Sequence, residues 1–187
     1  VYIRNGESLE TATHLTAIIF DKTGTITEGK PQVTDFINIS DHSEAILLAH
    51  IASAEHNSEH FLAQAIVNYA QAEHDFEFKT VKDFNVTAGR GLKAKVGHYQ
   101  ILIGNQAWLE EQDVDISKLM PHADTLGISG KTPVFTAFNG KATALFGIAD
   151  QPRESAKAAI AALHKLNIET LMVTGDTNAT AHHIADL

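Results

Sequence analysis

The run Asp21-Lys22-Thr23-Gly24-Thr25 is the part of the sequence whose residue types and spacing can do covalent chemistry. A carboxylate is a nucleophile, and the lysine beside it can offset developing negative charge. The Thr-Gly-Thr turn offers backbone amides and two hydroxyls to phosphate oxygens. At average residue frequencies these letters would arise by accident in a chain of this length about once in ten thousand. They are therefore read as one chemical unit.

That unit needs an element to present it. The apolar run Ala17 to Phe20, bounded by Thr16 and Gly24, reads as a short strand covered on both faces, as in a parallel α/β sheet. Asp21 then stands at its carboxyl end, the edge of open α/β sheets where ligands and chemistry collect. The run "KPQVTDFINIS" is a second extended segment leading away. The near-continuous Ile46, Leu47, Leu48 and Ile51 predict a buried helix over Ser43 to His56, capped by Asp41 or Ser43. Phe61, Leu62, Ala65, Ile66, Tyr69 and Ala70 form the apolar stripe of an amphipathic helix over Glu59 to His74.

Three extended runs follow, "DFNVTA", "GLKAKVG" and "YQILIGN", separated by glycine turns. Asn139-Gly140 then joins "TPVFTAF" to "KATALFGIAD" as a type I′ hairpin. A helix over Arg153 to Leu166, a buried strand "ETLMVTGD" and a helix opening at Thr177 return the pattern to α/β. The expected organisation is an α/β domain (1–36 and 139–187) interrupted after its first strand by an α+β insertion (37–138).

Composition bounds the partners. A net charge of −9 and the absence of any lysine/arginine-rich block argue against nucleic acid. The lack of cysteine excludes disulfides and thiolate metal sites. No stretch approaches the length of a membrane span, and no signal-peptide h-region opens the chain, so the chain is expected to be soluble. Among eleven histidines only His56 and His60 have the spacing of ligands on one helical face. Asn57 and Ser58 between them look like a helix cap, which puts the two on different elements.

The motif DKTGT resembles that of the P-type ATPases, in which this aspartate is phosphorylated by ATP during ion transport. The implied fold is that of haloacid dehalogenase-like phosphotransferases, with the nucleophile ending the first strand. Phosphatases of that fold carry an acid/base aspartate two residues after the nucleophile; here the position is Thr23. Without that carboxylate, water lacks a general base and a phospho-aspartate should persist.

The resemblance extends through Thr174-Gly175-Asp176, similar to the family's second phosphate-site motif. It implies that Thr174 contacts the phosphoryl group and Asp176 acts in the Mg²⁺ and nucleotide network. "ADQPR" is similar to the Asp-x-x-Arg stretch near the hinge, implicating Asp150 and Arg153 with the nucleotide; a surface salt bridge is the competing reading. "AEHNSEHFLAQAIV" resembles the heavy-metal branch, implicating Glu55 and His60 at adenine. "GRGL" and "LIGN" are similar to its glycine turns, implicating Gly89, Gly91, Gly104 and Asn105.

The resemblance thus implies ATP and Mg²⁺ as ligands, with Asp21 and Thr23 toward the metal. It also implies an actuator domain and membrane helices elsewhere in the parent, a heavy-metal ion, copper slightly preferred, as cargo, and a cytoplasmic position at the plasma membrane.

Two departures stand out. Phe61 occupies the position where the branch has proline. The sequence also ends at Leu187, before the family's Gly-Asp-Gly-x-Asn-Asp segment, so this piece alone is expected to bind nucleotide without turning it over. The other readings are a soluble phosphatase of the same fold, disfavoured by Thr23, and a nucleotide-binding module without catalysis.

Overall fold

Strand pairing divides the chain into a small parallel sheet and a large antiparallel one. A computed structural model describes residues 13–174 and 178–186, together with Gly6 and Glu10. Strand β1 (Ala17–Asp21) pairs in parallel with β8 (Glu169–Val173), and the register sets Asp21 opposite Val173. Helix α5 (Glu154–Lys165) packs on β8. The expectation that these strands are covered on both faces is not met. Ile18, Phe20, Thr170 and Met172 are half-buried, whereas Ile19, Leu171 and Val173 are exposed. An apolar run reads as doubly buried from sequence, but the described elements supply a layer on one face only.

The second sheet has six antiparallel strands in the order β2-β7-β6-β5-β4-β3. These are β2 (Gln32–Asn38), β3 (Val81–Thr87), β4 (Gly91–Val96), β5 (Tyr99–Gly104), β6 (Thr132–Phe138) and β7 (Lys141–Ala149). Period-two alternation sends Ile101 and Ile103 to one face and Leu102 to the other. On the first face sit α1 (Glu44–Glu55) and α2 (Phe61–Glu73), with Leu47, Leu48, Ile51 and Ile66 fully buried against Ala94, Val96 and Phe146. On the second sit α3 (Gln106–Glu111) and α4 (Met120–Ile128), joining Leu109, Leu119 and Leu126 to Phe135 and Leu145. The last helix, α6 (Asn178–Asp186), packs against α4.

Local signals place most elements. Ser43 caps α1 by accepting the Ile46 N–H, and every residue from Leu47 to Glu55 is buried. The hairpin turn carries positive φ at Asn139 (50°) and Gly140 (77°), as a type I′ turn requires. Helices α3 and α4 lie in a stretch where no periodic pattern marks an element; α3 is a short turn of helix and α4 carries Pro121 in its first turn.

The expected crossings between the two parts, at 36/37 and 138/139, fall inside the antiparallel sheet. The first cuts β2, and the second cuts the β6–β7 hairpin, whose second strand pairs along its length with both β6 and β2. Strand pairing draws the crossings near Pro31 and Asp150 instead. The fold is α/β with an α+β insertion, and the insertion's sheet spans Gln32 to Ala149.

Candidate active site

Asp21 leaves β1 exposed, and the chain turns at once. Thr23 (φ −76°, ψ 119°) and Gly24 (φ 78°, ψ −5°) have the angles of a type II turn, which needs positive φ at its third residue. This explains Gly24 locally. Lys22 is buried, at 5% exposure, while Thr23 and Thr25 face solvent. The Thr27 N–H donates to the Lys22 carbonyl at 3.0 Å and closes the loop.

Thr27, fully buried, is the pin of this loop, and sequence reading did not single it out. Its hydroxyl accepts the Gly24 N–H at 3.2 Å and donates to the Asp150 carboxylate at 2.5 Å, with the Lys22 carbonyl 3.1 Å away. Asp150 also accepts the Gly29 and Lys30 amides at 3.2 and 3.1 Å. Arg153 donates through Nε to the Thr27 carbonyl at 3.0 Å and through Nη2 to the carbonyls of Gly24 at 3.0 Å and Glu28 at 3.4 Å. Its own amide donates to the Ile26 carbonyl. Asp150 and Arg153 therefore hold the backbone behind DKTGT, at the crossing between the two sheets; these contacts are not the surface ion pair that was the competing reading.

Thr174 follows Val173, the register partner of Asp21, so the parallel pairing brings it to the same sheet edge as the aspartate. Gly175 and Asp176, and the expected helix start at Thr177, lie outside the described residues.

In the insertion, Glu55 ends α1 and His60 precedes α2, so both stand at one end of the helix pair. Glu55 is 6% exposed, and burial pushes its carboxyl up to about 7. His56 is the C-cap of α1 and His60 the N-cap of α2, so the two do lie on different elements, although the cap is His60 and not Asn57 or Ser58. The His60 Nδ1 accepts the Leu62 N–H at 3.2 Å. The neutral ring therefore carries its proton on Nε2. Phe61, expected in the apolar stripe of α2, is 54% exposed and stacks on His60, with ring centroids 4.4 Å apart and planes inclined by 26°. A cavity of about 130 Å³ is bordered by Phe61 and Leu62 from α2, by Lys22 and Thr23 from the loop after Asp21, and by Asp150, which follows β7. It faces the two parts of the chain toward each other.

The glycine turns are built as one corner. Gly91 and Gly104 are register partners in β4 and β5. A Cβ on Gly91 would stand 2.2 Å from the Ile103 carbonyl oxygen and 2.6 Å from Trp108 Cδ1; one on Gly104 would stand 2.5 Å from the Arg90 carbonyl oxygen and 2.7 Å from the same ring atom. Trp108 lies against the pair and admits no side chain there. Asn105 caps α3 by accepting the Trp108 N–H at 2.9 Å, while its amide donates to the Gly89 carbonyl at 3.0 Å. Gly89 itself has φ 69° with open space around it.

Residues 15–187 match the haloacid dehalogenase-like hydrolases. The chain belongs to that family. This haloacid dehalogenase-like chain is 40% identical over 186 residues to the probable copper-transporting ATPase PacS of Synechococcus elongatus, covering 99% of the chain and 25% of the relative. Its structure resembles a zinc-transporting PIB-type ATPase in an E2.Pi state with a TM-score of 0.77, at 31% identity, over 98% of the chain and 30% of the other. It also resembles the catalytic domain of the CPx-ATPase CopB-B, a structure concerned with conformational changes upon nucleotide binding. There the TM-score is 0.71 at 27% identity, over 98% of the chain and 63% of the other. The chain thus spans about a quarter of the length of the curated relatives it matches. No helix among the described residues is long and apolar enough to cross a membrane.

Proposed function

We propose that this chain is the nucleotide-binding and phosphorylation region of a heavy-metal-translocating P-type ATPase, in which ATP phosphorylates Asp21. The observation that carries the reading is the β1 edge. An exposed aspartate ends the strand, a threonine stands two residues on where a phosphatase needs a carboxylate, and Thr174 arrives beside it from the parallel partner. Similarity along the whole chain to the catalytic region of copper and zinc pumps supports the same reading.

In this reading residues 31–149 form the nucleotide-binding domain, and the flanking segments form the phosphorylation domain. Glu55 and His60 meet the adenine, the carboxylate accepting from its exocyclic amine and Nε2–H donating to a ring nitrogen. The Gly89 turn lies open to the nucleotide, and the corner of Gly91, Gly104 and Asn105 holds that turn in place. A carboxylate oxygen of Asp21 attacks the γ-phosphorus, and the bond from that phosphorus to the bridging oxygen breaks. ADP leaves with the electron pair. Lys22 offsets charge on the transferred group, and the pinned loop fixes the approach, so catalysis is mainly positioning.

The Asp21 carboxylate and the Thr23 carbonyl are hard oxygen donors of the kind Mg²⁺ accepts while keeping most of its waters. Bound there, the ion would neutralise charge on the phosphoryl oxygens. Asp176 and Gly175 complete the phosphate side in this reading.

Thr23 offers no general base to water, so the acyl phosphate outlives its formation and waits for an actuator domain of the parent. Membrane helices of the parent carry the metal, copper being favoured by the relatives of higher identity, and this region lies on the cytoplasmic side. The test is substrate choice by the intact protein. It is expected to consume ATP in a metal-stimulated reaction that Asp21→Asn abolishes. Ready hydrolysis of a simple phosphomonoester, with no preference for ATP, would contradict the reading in favour of a soluble phosphatase.

A further inference from the structure

Phe61 begins α2 with its ring 54% exposed, although later members of the same apolar stripe, Ala65, Ile66 and Ala70, are buried. Two contacts fix its surroundings. Its neighbour His60 cannot turn freely, because Nδ1 holds the Leu62 amide as the helix cap. The two rings stack with centroids 4.4 Å apart, so no third ring fits between them. One face of His60 is thereby covered, and Phe61 itself borders the cavity that also touches Lys22 and Thr23.

We propose that Phe61 is the purine platform of the nucleotide site. The base lies on the Phe61 ring, not between the two rings, and the triphosphate runs along the cavity wall toward Lys22 and Asp21. His60 takes part through its edge, presenting Nε2–H, while its face is held by Phe61. This inference rests on the reading of the insertion as a nucleotide-binding domain. The occupant follows from the chemistry at both ends: a flat π surface at one and a cation with a phosphate-type turn at the other suit a nucleoside triphosphate. A stacking platform favours the larger purine over a pyrimidine.

The test is calorimetric titration of the chain with MgATP and MgCTP, comparing wild type with Phe61→Leu, Phe61→Trp and Phe61→Pro. Because the ring is exposed, each variant should keep its melting temperature near wild type; proline is itself suited to the first helical position. We expect Phe61→Leu and Phe61→Pro to weaken ATP binding about tenfold and CTP binding about twofold, and Phe61→Trp to hold or tighten ATP. Wild-type binding of ATP with unchanged affinity in Phe61→Leu, or equal losses for ATP and CTP, would overturn the platform while leaving the nucleotide domain intact. Failure of the wild type to bind either nucleotide at millimolar concentration would overturn both.

Discussion

The hydroxyl of Thr27 donates a 2.5 Å hydrogen bond to the carboxylate of Asp150, across 123 positions of sequence. With the Arg153 guanidinium on the carbonyls of Gly24, Thr27 and Glu28, this contact ties the loop after Asp21 to the segment that leaves β7. The site and the crossing between the two sheets are thus one mechanical unit.

Breaking that unit has a cost that denaturant titration can read. Thr27→Val keeps the shape of a fully buried side chain but leaves the Asp150 carboxylate with two amides and without its hydroxyl, and about 2 kcal/mol of stability should be lost. Arg153→Lys removes the planar fork that reaches three carbonyls and should cost about 1 kcal/mol. A Thr27→Val variant as stable as wild type would show that the clamp is not holding the loop.

Glu55 makes stability depend on pH in an unusual direction for a carboxylate. Its folded-state value, raised by burial to about 7, lies above the unfolded value near 4.5. Between these pH values the folded chain holds a proton that the unfolded chain has lost, so this contribution to stability falls as pH rises through that window and is flat above it. Glu55→Gln removes the titration. Relative to wild type, the variant should gain about 3 kcal/mol on going from pH 4 to pH 8. Urea midpoints at the two pH values check the difference, and a pH-independent difference would contradict it.

In the proposed reading His60 combines two roles, helix cap and adenine contact, that substitution can separate. Asparagine is a strong N-cap but has no ring. His60→Asn should therefore keep the stability of α2 and weaken ATP binding. His60→Ala should lose about 1 kcal/mol of stability as well. Equal ATP affinity in wild type and His60→Asn would remove the imidazole from the adenine site.

Gly89, Gly91 and Gly104 differ in what they need. Gly91→Ala and Gly104→Ala each drive a methyl group into backbone oxygen and the Trp108 ring, and neither backbone can retreat within a paired register. A loss of more than about 3 kcal/mol is expected. Gly89→Ala meets open space and only the strain of φ 69°, about 1 kcal/mol. Thermal melts rank the three, and comparable losses at Gly89 and Gly91 would contradict the packing explanation.

What the sequence made legible was local. The strand ending at Asp21, the Ser43 cap of α1, the periodicity of α2 apart from Phe61, the extended runs of β3 to β5 and the Asn139-Gly140 turn all follow from neighbours within a few positions. What it hid was long-range. The antiparallel pairing of β7 with β2 joins segments more distant than any pattern window, so the sequence does not show that the second strand of the hairpin shares a sheet with β2. The clamp on Thr27 comes from residues beyond the insertion, and nothing around Thr27 announces it. Gly91 and Gly104 read as nucleotide turns, yet the ring that forbids a side chain there is Trp108, four residues past Gly104 and on another element. Ile19 and Val173 looked buried because composition does not reveal which strand faces have a covering layer.

The most direct measurement is the chemical identity of residue 21 after turnover. The intact protein is incubated with MgATP, quenched in acid, reduced with borohydride and digested, so that an aspartyl phosphate is read by mass spectrometry as homoserine at its own position. Conversion at Asp21, absent without ATP and unaffected at Asp150 or Asp35, is the predicted result. ATP consumption with Asp21 recovered unmodified, or with the label on another residue, would contradict the assignment of Asp21 as the phosphate acceptor.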